Sequence, residues 1–136
     1  MTAFTPVPTP GTRPYWEAAA RGELWIQRCR SCRRHYFYPR PFCPQCASDD
    51  VEWTPTVGRA RLVSYAIDHR PLAPVRGPVV VALVELAEGP RMMTNLVDVD
   101  PRPDALPLDM ALTVRFREQD GLSIPVFGPA GEDGPQ

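Results

Sequence analysis

The chain has 136 residues, 43% of them hydrophobic, and a formal net charge of −1. That length fits one ordinary domain, or a small domain with a metal-stapled appendage. The near-neutral charge gives no whole-chain basic field for nucleic acid, and the longest apolar run, Val79 to Val84, is strand length and far short of the about 18 residues that suggest a membrane span.

Residues 1–13 carry Pro6, Pro8 and Pro10 and few large apolar groups, the composition of an extended, flexible lead-in. A short helix is expected next. Pro14 suits its first turn, Tyr15, Trp16 and Ala19 can share a face, and Gly22 is a good stop. Leu24 and Ile26 alternate with Trp25 and Gln27, the pattern of a strand. The only four cysteines follow: Cys29, Cys32, Cys43 and Cys46. They make two C-x-x-C pairs with ten residues between them. Each pair reverses the backbone and lets two thiolates point at one ion, so two pairs supply a tetrahedral set of soft ligands suited to Zn²⁺. Two disulfides or a redox C-x-x-C are the competing readings. No signal-peptide pattern precedes the cysteines, and a redox motif would be single, so a structural Cys₄ zinc site in a cytoplasmic protein is expected. Four thiolates close the shell, which argues against a catalytic zinc. His35, in the loop between the pairs, is expected to pack near the site without ligating. Val51–Trp53 reads as a second short strand, completing a zinc ribbon over residues 14–55 with its helix.

From about Thr56 the character changes. Strands are expected over Leu62–Ile67, Val79–Leu86, Arg91–Val97, Ala111–Arg117 and Ser123–Phe127, with Glu88-Gly89-Pro90 as a hairpin turn. Pro125 argues that the last strand is an edge. Five strands without a helical period suggest a small antiparallel barrel, and the OB-fold over residues 56–128 is the commonest solution at this size. Val63, Val81, Leu83, Leu96, Val114 and Phe116 are its expected core. Residues 129–136, rich in Gly, Pro and acid, are expected to be a disordered tail. The expected fold is thus mainly β: a short N-terminal helix, a rubredoxin-like zinc ribbon and a five-stranded OB-fold barrel.

Two groups of side chains in the ribbon invite a functional reading. Between Arg21 and Cys46 lie six arginines, including Arg30, Arg33 and Arg34, against the single acid Glu23. With a Zn(Cys)₄ centre of about −2 the module stays basic. These guanidinium groups either receive phosphates, such as those of coenzyme A, or offset the anionic cluster and solvate a small module. The aromatic residues Trp16, Trp25, Tyr36, Phe37, Tyr38, Phe42 and Trp53 are too many for so small a core, and Trp16, Trp25, Tyr36, Phe37 and Tyr38 are candidates for a partner interface. Independent catalysis is not expected. There is no lysine for Schiff-base chemistry, the cysteines are assigned to metal, and neither His35 nor His69 stands in a nucleophile–base arrangement.

Several motifs occur together here. They are Tyr15-Trp16-Glu17-Ala18, Arg21-Gly22-Glu23-Leu24, Gln27-Arg28-Cys29-Arg30-Ser31-Cys32 and Tyr38-Pro39-Arg40-Pro41-Phe42-Cys43-Pro44-Gln45-Cys46. Further on come Val51-Glu52-Trp53, the Val81 to Leu96 hairpin and the closing Ile124-Pro125-Val126-Phe127. From Arg13 to Pro129 the chain resembles the zinc-ribbon/OB-fold family associated with acyl-CoA metabolism, long catalogued as a domain of unknown function. One departure is Asp109, where the family usually has glycine, which implies a less tight turn. The resemblance implies an accessory subunit of a thiolase-superfamily enzyme: a lipid-transfer-type retro-aldolase of steroid side-chain degradation, or a thiolase of fatty-acyl metabolism. It further implies that the catalytic residues lie on the partner, that the assembly is a 2+2 heterotetramer acting on acyl-CoA, and that a MaoC-type hydratase can be a further partner. Neither nucleic acid nor a membrane is expected. The alternative is a nucleic-acid-binding zinc-ribbon/OB-fold protein, as in ribosome- or polymerase-associated ribbons.

Overall fold

The computed structural model describes residues 5–70 and 77–130; the first four residues of the expected lead-in and the last six of the expected tail lie outside them. A 3₁₀ turn at Pro10–Thr12 leads into helix α1, Arg13–Ala20. The helix ends in a Schellman motif. Gly22, at φ 80°, donates to the Ala19 carbonyl (2.9 Å), and Glu23 donates to that of Ala18 (3.0 Å). Glycine takes that left-handed φ without a Cβ penalty, which is why the stop was legible. Ala18 and Ala19 are small enough to bury their face of the helix fully.

The ribbon is a three-stranded antiparallel sheet in the order β2-β1-β3, formed by β1 (Trp25–Cys29), β2 (His35–Tyr36) and β3 (Val51–Pro55). The two-residue β2 carries no sequence signal of its own. Buried Gln27 on the central strand accepts the Arg40 backbone N–H at 2.6 Å, which ties the returning loop to the sheet.

Five strands close the barrel in the order β4-β5-β6-β8-β7: β4 (Arg59–Asp68), β5 (Val79–Leu86), β6 (Arg91–Leu96), β7 (Ala111–Gln119) and β8 (Leu122–Pro129). Neighbours are antiparallel except β6 and β8, which are parallel and meet at the single pair Leu96↔Phe127. Pro125 lies beside this break. Its carbonyl faces β6, accepting the Thr94 hydroxyl at 3.4 Å, so its missing N–H faces the same way and costs no ladder bond. Proline thus marks a broken seam in a closed barrel, not a free edge.

Phe127, Leu62, Val84, Leu86, Leu106 and Leu112 fill the barrel core. Tyr15, Leu24 and Ile26 continue the same apolar cluster, so helix, ribbon and barrel are packed together. Of the six expected core residues, Leu96 is buried, whereas Val63, Val81, Leu83, Val114 and Phe116 are only half-buried. The buried face of β5 is Val80, Ala82, Val84 and Leu86. That strand is apolar on both faces, so alternation does not give its phase. Glu85 does: it faces outward to Arg61 and Arg91, and Val81 and Leu83 share its side. A register shift between Leu62 and Ser64 displaces Val63. Asp109 occupies the left-handed region at φ 69°, where aspartate is tolerated. Its N–H donates to the Leu62 carbonyl (2.8 Å), so the turn closes without glycine. Among the described residues no helix is long and apolar enough to cross a membrane.

Candidate metal centre and apolar groove

Two knuckles of the same construction hold the cysteines. In the first, the Cys32 N–H points at Cys29 Sγ (3.4 Å), and Arg33 turns back through a left-handed φ of 67° to donate to the Cys29 carbonyl at 2.8 Å. In the second, the Gln45 N–H points at Cys43 Sγ (3.3 Å), and Ala47, at φ 64°, donates to the Cys43 carbonyl at 2.9 Å. The Ser31 and Ser48 hydroxyls, 3.0 Å apart, link the two turns.

The four Sγ atoms lie within 4.8 Å of one another, and the Cys29–Cys46 and Cys32–Cys43 pairs are each 3.6 Å apart. A zinc with four bonds of about 2.3 Å places its sulfurs about 3.8 Å apart, so the donor set and its spacing fit that ion. The electrostatics agree. The Cys32 N–H above all draws the Cys29 thiol down to about 6. Burial opposes ionisation of Cys43, but the N–H groups of Cys46 and Gln45 outweigh it and bring that thiol below its ordinary value. At Cys46 the Ser48 N–H lowers the pKa, yet the other three sulfurs raise it further, to about 11. Four sulfurs this close favour full ionisation only around a cation. His35, on β2 opposite Arg28, stands outside the sulfur group.

The arginines fare unequally. Arg30 is already paired with Asp50 (2.9 Å) and Glu52 (3.2 Å), and Arg28 with Glu52 (3.3 Å). The acids that neutralise the module stand on and before β3, just past the stretch that reads as basic. Arg34 donates to Gln45 Oε1 (3.3 Å), and Arg33 is exposed with no side-chain partner among the described residues.

The expected interface aromatics divide as well. Tyr36 is buried against Cys29 and Cys43 and donates its hydroxyl to the Arg40 carbonyl at 2.9 Å, which makes it ribbon core and unavailable to a partner. Trp25 lies under Arg21, 5.6 Å from guanidinium carbon to ring centroid, and donates to Glu23 at 2.8 Å. Trp16, Phe37 and Tyr38 do come together. With Tyr15 they form a chain of ring contacts, Tyr15–Trp16 at 4.9 Å, Tyr15–Phe37 at 5.7 Å and Phe37–Tyr38 at 4.4 Å. Burial drives the Tyr15 phenol well above its ordinary pKa, so it stays neutral. These rings wall an apolar groove of about 340 Å³ floored by Met92, Ile124 and Pro125, with Met93 at its rim. The methionines and Ile124 were not singled out by sequence. They reach the site only because β6 and β8 part above their one pair.

Asp68 lies at the end of β4. The Arg70 guanidinium, at 2.8 and 3.0 Å, holds its carboxyl down at about 2.

Comparison with known proteins matches both halves. Residues 16–52 match the family described as "ChsH2, rubredoxin-like zinc ribbon domain" and residues 53–117 the one described as "ChsH2, C-terminal OB-fold domain". A solved structure named "Ltp2-ChsH2(DUF35) aldolase" superposes at TM-score 0.81 with 37% identity, covering 92% of this chain and 98% of that one. A "DUF35 domain-containing scaffold protein" of Methanothermobacter thermautotrophicus is 30% identical over 113 residues, 81% of this chain and 84% of its own. A "Probable enoyl-CoA hydratase alpha subunit" of Thermomonospora curvata is 41% identical over 118 residues, 85% of this chain, but the match spans only 36% of that relative's length. The zinc this fold binds is structural, since a Cys₄ shell leaves no open position. With a rubredoxin-like zinc ribbon and an OB-fold in one chain, each matched by its own family model, the protein belongs to the ChsH2-type (DUF35) zinc-ribbon/OB-fold family.

Proposed function

We propose that this chain is a non-catalytic subunit of a thiolase-superfamily enzyme complex acting on acyl-CoA thioesters, with Cys29, Cys32, Cys43 and Cys46 as the ligands of its one structural zinc. The observation that carries the reading is the 37% identity and 0.81 TM-score over 98% of the matched chain in a structure named as an aldolase with a DUF35 component. The acyl-CoA class is supported by the hydratase name of the Thermomonospora relative. The chain's own chemistry agrees: it has no lysine, and its four cysteines are gathered into one sulfur cluster. The partner therefore supplies the nucleophile and bases. This chain supplies a zinc-stapled surface beside them, where Arg33 and Arg34, which unlike Arg30 have no acidic partner among the described residues, meet CoA phosphates.

Thiolase-fold enzymes are commonly two-fold dimers, and a two-fold dimer presents each surface twice, so a 2+2 heterotetramer is the natural assembly. The reaction is a retro-aldol cleavage or a thiolysis of a steroid side-chain or fatty-acyl thioester in the cytoplasm; for the retro-aldol cleavage, an enoyl-CoA hydratase is the enzyme that supplies the hydroxyacyl substrate. Co-expression of this chain with the thiolase-like subunit of an aldolase of the kind it matches tests the reading. The two should co-purify with equal stoichiometry and one zinc per copy of this chain. Separate elution of two folded proteins would overturn it, as would tight sequence-selective nucleic-acid binding by this chain.

A further inference from the structure

We infer that the groove between α1, β6 and β8 is the docking site for a protein segment that inserts an apolar side chain and presents a carboxylate to Arg117. The inference rests on the partnership proposed above and names the face of this chain that makes it.

Three observations converge. The first is the broken seam. Between Leu96↔Phe127 and the outer ends of β6 and β8 there is no ladder. The Met93 N–H reaches only the Tyr38 hydroxyl, at 3.4 Å, and Thr94 spans to Pro125 at the same length. Bonds this long are readily exchanged for those of an incoming segment. The second is the apolar surface. It continues out of the groove onto Tyr38 and Met93, which stay 47% and 53% exposed. A small molecule held inside the groove leaves those side chains in water, whereas a protein segment lying across it covers them. Methionines at such a site adapt to the shape inserted.

The third observation is charge. Arg117 stands on β7 opposite Ile124, and its η nitrogens reach Asn95 Oδ1 at 3.5 Å; Ile124 and Asn95 both line the groove. Its Nε is buried without a hydrogen-bond partner, and no carboxylate among the described residues pairs with it. Other barrel arginines differ: Arg115, two residues before it on β7, holds Asp98, and Arg61 on β4 holds Glu85 and Asp109. A half-buried guanidinium with no carboxylate partner among the described residues is stabilised by one arriving at its loosely held η nitrogens, and the fork geometry suits it. The complementary segment is therefore apolar and acidic.

The test uses the full chain and the thiolase-like subunit co-expressed with it above. Met93→Asp changes an exposed rim residue and should not disturb folding. Arg117→Glu reverses the cation, and Arg117→Lys keeps its charge. Affinity is read by titration calorimetry, with zinc content and melting temperature as folding controls. The expected result is a loss of roughly tenfold or more for Met93→Asp and Arg117→Glu, with partial retention for Arg117→Lys. Wild-type affinity in folded Met93→Asp and Arg117→Glu overturns the inference and leaves the partnership standing. Where that result comes with an acyl-CoA shifting the Met92 and Met93 methyl resonances of the chain alone, the groove takes a small ligand instead. If the wild-type chain forms no complex, the partnership fails, and the groove is judged on the free chain. There, 3-phenylpropionate should shift the two methyls saturably, and 3-phenylpropanamide should do so about tenfold more weakly. Equal shifts by acid and amide, or none from either, overturn the inference.

Discussion

Cys43 is buried, accepts an N–H from Gln45 and stands 3.6 Å from Cys32, so serine there removes both a zinc ligand and a packed sulfur. Zinc binding and folding are coupled in such modules. Cys43→Ser should bring the metal content well below one zinc per chain and expose the amides of β1 and β2 to hydrogen exchange, while β7 and β8 stay protected. Plasma emission analysis with exchange mass spectrometry checks both. Full protection of the ribbon without zinc would show that the metal is not structural. Gly58 is a second sensitive residue. At φ 79° it sits at the ribbon–barrel junction, where an added Cβ would meet Val114 Cγ1 at 2.9 Å. Gly58→Ala should cost about 2 kcal/mol in urea denaturation, since a strained φ and a core clash act together. The cysteine spacing made the metal site legible from sequence, because ligand geometry there is local. That Arg30 is already paired was not legible, because its acids, Asp50 and Glu52, lie about twenty residues on and meet it only across the β1–β3 pairing.

At the scale of elements, each barrel strand announced itself by its β-formers, and Gly22 announced the end of α1. Which face of β5 is buried was not legible from its apolar run, since Val79–Val84 offers hydrophobic groups on both sides. Glu85 carries the phase, and pairing with β4 and β6 enforces it. Val84→Asp should therefore destabilise the chain by more than about 3 kcal/mol, as an unpaired buried charge does, and Val81→Asp by about 1 kcal/mol. Chemical denaturation of the two variants side by side decides the register, and a larger loss for Val81→Asp would reverse it. The groove was only half legible. Trp16, Phe37 and Tyr38 stood out as surplus aromatics, but Met92, Met93 and Ile124 join them through the parting of β6 from β8. That parting is a property of barrel closure which no local pattern encodes.

Taken whole, the molecule is a small barrel whose seam is covered by a helix and a zinc-stapled ribbon through one continuous core. That core explains how so short a ribbon can pack Phe37 against the barrel and carry Tyr38 beside it. A rigid apolar face with a waiting cation suits a permanent partner better than a transient one. Turnover by the thiolase-like partner, measured with and without this chain, tests the central claim most directly. The account predicts that the partner alone is inactive towards its acyl-CoA substrate, and that adding this chain in equal amount restores activity, with no turnover by this chain alone. Full activity of the partner in the absence of this chain would contradict it.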